Sequence, residues 1–137
     1  MKAAIPLPRN ANLLRLTPLL FSLCMPVAHA GNGWEALNQE AVSLYQQGDH
    51  DQAIAQAKKA LTLAEQELGS EHRDIAASLN NLAYMYRTRG EYAQAEPLYQ
   101  RSLAIWEKTL GPTHPDVATG LNNLALLYAT QGDLETA

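Results

Sequence analysis

Thiol chemistry is all but missing from this chain. Its one cysteine, Cys24, falls among the first thirty residues. Beyond them no disulfide framework, zinc–thiolate site or cysteine nucleophile can form, so stability there rests on packing alone. The signatures of catalysis are missing as well. The sequence contains no G-x-S-x-G, no H-E-x-x-H, no phosphate loop and no G-x-G-x-x-G, so no reaction is expected of it. Metal-ligand spacing is also lacking. Of the four histidines, none lies four residues from another on a helix, and neither a metal nor a cofactor is expected. His72 and His114 occupy equivalent links between repeated units and are expected to cap helices or fill loop contacts. His50 is expected in a turn within a unit.

Negative charge is absent from residues 1–30, where Lys2, Arg9 and Arg15 are the charged side chains. An apolar stretch from Leu16 to Val27 follows, broken by Pro18 and Pro26, and Ala28-His29-Ala30 closes it. A basic start, a short apolar region and a small-x-small site predict a cleavable export signal. The run is short for a membrane span. Cleavage is expected near Ala30, giving a periplasmic or extracellular chain over 31–137 that does not insert into a membrane. Those residues hold seven of the ten lysines and arginines but all fourteen acids, a net charge of −7. A nucleic-acid partner requires a basic stripe, so none is expected.

The positive content is an internal repeat. Residues 76–90 read AASLNNLAYMYRTRG and residues 118–132 read ATGLNNLALLYATQG, identical at nine of fifteen positions across an offset of 42. The same offset relates Gly48, Gly90 and Gly132, then His72 to His114, Asp74 to Asp116, and Leu68-Gly69 to Leu110-Gly111. Coincidence does not hold a fixed offset over so many landmarks. The first unit is more worn, keeping Leu37-Asn38 and Ala41 as counterparts of Leu79-Asn80 and Ala83.

Each unit reads as two helices. Ile75, Leu79, Leu82, Ala83 and Tyr86 recur at helical spacing, as do Tyr92, Ala95, Tyr99, Ser102, Leu103 and Trp106. Gly90 is expected to end the first helix and Leu110-Gly111-Pro112 the second. Small residues at Ala83, Ala95, Ser102 and Ala125 are expected at the seam, where two axes approach closely. Pro97 falls beyond the first turn of its helix, where it removes one hydrogen bond.

The pattern L-x-x-L-A-x-x-Y, then Gly, then Tyr-x-x-Ala and Tyr-x-x-Ser-Leu resembles the tetratricopeptide repeat. The 42-residue period, with LNNLA, AEPLYQRSL and LGPTHPDVA, is similar to the kinesin-light-chain type of that repeat. The resemblance implies an all-α, right-handed solenoid of about two and a half helix-turn-helix repeats. These fall at about 34–69, about 74–111 and a partial unit at about 116–137. It also implies a scaffold for a protein or peptide partner, with the first helices lining a concave groove.

Asparagines mark that groove. Asn38, Asn80 and Asn122 form one column at the repeat offset, and Gln39, Asn81 and Asn123 form the next. A carboxamide donates and accepts, so it can pair with a peptide backbone whatever the side chains. Asparagine is also a mediocre helix former, so two together in mid-helix call for a reason. One reason is a ligand, and the alternative is a bond between neighbouring helices that holds the stack. Tyr84 and Arg87, with Tyr45, are candidate specificity contacts beside the amides.

Ala137 follows Gly132 by five residues. A short start of a second helix is expected there, too short to cover Leu121, Leu124, Leu126, Leu127 and Tyr128. The exposed set is then a surface for self-association. Alternatively, the chain is the amino-terminal adaptor region of a longer enzyme or signalling protein.

Overall fold

The structure is a computed structural model that describes residues 33–136, with side chains through Gly132. The expected export signal lies outside the described residues. Five helices follow in order: α1 Gly33–Gln46, α2 His50–Leu68, α3 Arg73–Thr88, α4 Tyr92–Leu110 and α5 Pro115–Thr136. No strand occurs among the described residues. α1 pairs with α2 and α3 with α4, while α3 packs on α2 and α5 on α4. The result is an all-α solenoid in which each new first helix lies against the second helix before it. Among the described residues, no helix is long and apolar enough to cross a membrane.

The turns follow from the sequence. Gly48 and Gly90 sit between the helices of a pair at φ +89° and +80°, a left-handed conformation that glycine adopts at little cost. The helix starts are capped. Asp49 accepts the amide of Gln52 ahead of α2. His72 accepts the amide of Asp74 through Nδ1 at 3.2 Å, and His114 does the same for Asp116 at 3.1 Å. Each fills one of the donors that a first turn leaves open. The carboxylates of Asp74 and Asp116 also suit the positive end of the helix dipole. His50 differs from expectation. It is the first residue of α2, with its ring against Tyr45 at 4.7 Å.

Packing depends on small residues at the seams. Ala41, Ala53, Ala83 and Ala95 are fully buried, so the helix axes can approach closely enough for Leu82, Met85 and Tyr99 to interlock. Ser102 is buried and donates to the carbonyl of Ala76 at 2.7 Å, which joins α4 to α3 without a polar loss. Pro97 lies inside α4, which stays one helix from Tyr92 to Leu110.

Two expectations about the last unit are corrected. Gly132 does not turn the chain, because α5 runs through it to Thr136. A helix tolerates an interior glycine for about 1 kcal/mol. Turning there is favoured only when a following helix packs back, and none follows among the described residues. Leu121 and Ala125 are exposed, although their counterparts Leu79 and Ala83 are buried. α4 covers the latter pair, and nothing among the described residues covers the former. The buried anchors of α5 are Val117, Leu124 and Leu127, while Leu126 and Tyr128 stand exposed beside Leu121.

Candidate functional site

The first helices α1, α3 and α5 meet along one side of the solenoid. Tyr45 on α1 donates its hydroxyl to Thr88 Oγ1 on α3 at 2.6 Å. Thr88 in turn donates back to the carbonyls of Tyr84 and Met85. The rings of Tyr45 and Tyr84 meet edge to face at 5.8 Å, a favoured aromatic geometry. One joint further on, Asn123 Nδ2 donates to Asn80 Oδ1 at 2.9 Å. Both cross-helix bonds span 43 residues, one more than the repeat. A first helix therefore meets its neighbour one position out of step with the sequence repeat.

Between α1 and α3 lies a cleft of about 360 Å³, lined by Val42, Tyr45 and Gln46 from one side and Asn81, Tyr84 and Met85 from the other. Its walls are largely apolar, with one carboxamide on each helix and a phenol ring at 42% exposure at the mouth. Few placed polar groups on an apolar wall are what a peptide side chain and its backbone require.

Arg87 flanks this region. Its guanidinium lies over the Tyr84 ring at 5.3 Å from the centroid, an attractive cation–π arrangement. Its Nε is buried without a hydrogen bond, as is the hydroxyl of Tyr99 behind it. Burial raises the Tyr99 phenol above its ordinary value, and the nearby positive charge of Arg87 opposes that rise. Of the seven lysines and arginines among the described residues, Arg73, Arg89, Arg101 and Lys108 make ion pairs with carboxylates. Arg87 does not, and rests on an aromatic face instead.

The predicted site residues are only partly gathered. Asn81 and Tyr84 line the cleft, and Arg87 adjoins it through Tyr84. Asn80 and Asn123 pair with each other, as the stacking alternative requires. Asn122 is exposed, and Asn38 is half-buried; neither makes a side-chain hydrogen bond among the described residues. Val42, Gln46 and Met85 were not anticipated. They lie four and eight residues after Asn38 and two after LNNLA, and the register between helices, which the sequence does not state, decides that they face one another.

Paired helices repeating every 42 residues, each new pair packed through its first helix on the second helix before it, define an α-solenoid scaffold. The chain belongs to the tetratricopeptide repeat family, whose model matches residues 35–105 and again 74–137. Its period is of the kinesin-light-chain type. In fold it is similar to BtubC (BKLC) from P. vanneervenii, with a TM-score of 0.69 and 24% sequence identity. The match covers 74% of this chain and 40% of that one. No curated protein matches the chain in sequence. Members of this family are scaffolds for protein–protein interaction, and that is the class of function the chain carries.

Proposed function

We propose that the chain is an exported scaffold that holds an extended segment of a partner protein along its first helices. Asn81 and Tyr84, with Arg87 beside them, form the polar part of that groove, and Asn38, Asn80, Asn122 and Asn123 continue it along the first helices. The observation that carries this reading is the cleft between α1 and α3, where Asn81 and Gln46 present carboxamides beside the half-open ring of Tyr84. An amide pair reads backbone rather than side chains. The aromatic rings add contact area at a low cost in side-chain entropy. Arg87, which pairs with no carboxylate, supplies positive charge next to the cleft on an otherwise acidic chain.

Export rests on the basic start, the short apolar region and Ala28-His29-Ala30. Fractionation of cells expressing the tagged chain tests it, and a tag found in the cytoplasm with residues 1–30 still attached sinks it.

The groove is tested by placing a photo-crosslinking amino acid at position 81 and, as a control, at the exposed Lys59. Capture of a protein partner from position 81 but not from position 59, lost on Tyr84→Ala, is the expected outcome. Equal capture from both positions, or none from 81, defeats the groove assignment.

A further inference from the structure

The second helices α2 and α4 enclose a trough of their own, over a different stripe of α3 from the one that lines the amide cleft. Its floor is Leu82 and Tyr86 of α3, its walls include Lys58 and Leu61 of α2 and Pro97 and Leu98 of α4, and its volume is about 570 Å³. We propose that this trough is a second docking surface, and that it takes an extended partner segment in which a large apolar side chain neighbours a carboxylate.

Three features of the trough fix that chemistry. The first is its wall. Leu61, Pro97 and Leu98 stay partly open above a buried floor, so an apolar side chain seated there removes carbon surface from water on both partners. The second is Lys58. Its ammonium lies 5.7 Å from the centroid of the Tyr86 ring and forms no ion pair among the described residues. The carboxylates at the near end of the trough, Asp51 and Glu91, are held by Arg89 at 2.7 and 2.9 Å. An ammonium resting on a ring, with the nearest acids engaged elsewhere, is open to a carboxylate from outside. The third is a backbone acceptor. Proline has no amide hydrogen, so Pro97 leaves the carbonyl of Ala93 without its donor four residues on. Ala93 lines the trough, and a partner N–H can fill that acceptor.

The repeat supplies an internal contrast. At the position of Lys58 the next unit has Gln100, and at that of Tyr86 it has Tyr128. There Gln100 and Glu96 both bond the Tyr128 hydroxyl, at 3.2 and 2.9 Å. Nothing among the described residues bonds the hydroxyl of Tyr86. The cation and the free phenol therefore belong to the trough between α2 and α4 and are not a general property of the repeat.

The test is a titration of the ¹⁵N-labelled full chain with an acetylated, amidated peptide of sequence Gly-Asp-Leu-Leu-Glu-Gly. Saturable shifts are expected around Lys58, Thr62, Tyr86 and Leu98. Lys58→Glu is expected to weaken binding about tenfold, while the neighbouring Lys59→Glu, with the same charge change, stays within about twofold. Pro97→Ala restores an amide to Ala93, so it should raise Tm while weakening the peptide about fivefold. Shifts that do not saturate, shifts gathered on Asn81 and Tyr84, equal losses in the two lysine variants, or undiminished binding by Pro97→Ala would overturn the proposal.

Discussion

Asn123 of α5 donates to Asn80 of α3 at 2.9 Å, one residue beyond the repeat spacing, so two first helices are joined by a carboxamide pair. Asn80→Ala leaves the half-buried amide of Asn123 without its acceptor. A net loss of about 1 kcal/mol is expected in urea unfolding, from the ordinary worth of such a bond plus the unpaired group. Asn80→Ala with Asn123→Ala should lose less than the sum of the singles, with a coupling of about 0.5 kcal/mol or more. Asn122, exposed and unbonded, should tolerate alanine within about 0.5 kcal/mol. A double-mutant cycle without coupling removes the pair from the account.

The helices were legible in the sequence because each is punctuated by residues that allow few alternatives. Gly90 and Gly111 supply left-handed backbone where the chain turns, and His72 and Asp74 mark a first turn. The core stripe of Leu79, Leu82, Ala83 and Tyr86 follows from helical spacing and is buried as read. What the sequence did not disclose is how one first helix lies against the next. A column of identical residues at offset 42 invites pairing Asn80 with Asn122, yet the helices meet at 43 and Asn123 is the partner. Register between helices is set by how the ridges of both surfaces fit, and a repeat seen along one chain does not encode it. The cleft residues Val42, Gln46 and Met85 were missed for the same reason. Gly132 misled differently, since a glycine permits a turn but does not compel one.

Leu79 and Leu121 test what covers a repeat. They are equivalent in sequence, but Leu79 is fully buried and Leu121 is 51% exposed. Leu79→Ala deletes packed methyl groups under α4 and should cost about 2–5 kcal/mol in urea unfolding. Leu121→Ala should cost under about 1 kcal/mol, because little packing is lost at a half-open position. Sedimentation of the chain at rising concentration adds a second readout. If Leu121, Leu126 and Tyr128 mediate self-association, Leu121→Gln shifts the chain toward monomer, while a concentration-independent sedimentation coefficient rules that contact out.

The histidine caps make a separate prediction. His72 accepts the amide of Asp74 through Nδ1, and His114 does the same one repeat later. His72→Ala removes the acceptor and should lower stability by about 1 kcal/mol, whereas His72→Asn, a good capping side chain, should restore most of it. If His72→Ala and His72→Asn melt at the same temperature, the imidazole is not acting as a cap.

Tyr99 predicts how the fold responds to alkali. Its ring is fully buried in α4, and burial raises the phenol above the ordinary value of 10.0, opposed in part by Arg87. The folded chain therefore keeps this proton to a higher pH than the unfolded chain does. Well below pH 10.0 both states are protonated, and the contribution of Tyr99 is fully present. As pH rises beyond that, the unfolded chain ionises first and binds fewer protons, so stability falls until the folded chain ionises too. Tyr99→Phe cannot titrate, and the hydroxyl it removes is buried with only the Arg87 guanidinium beside it, out of good hydrogen-bond geometry. It should match or exceed the wild type at neutral pH and lose stability less steeply above pH 10. Urea midpoints measured from pH 8 to pH 11.5 decide the matter, and superimposable profiles for the two chains would show that the phenol is not shifted by its burial.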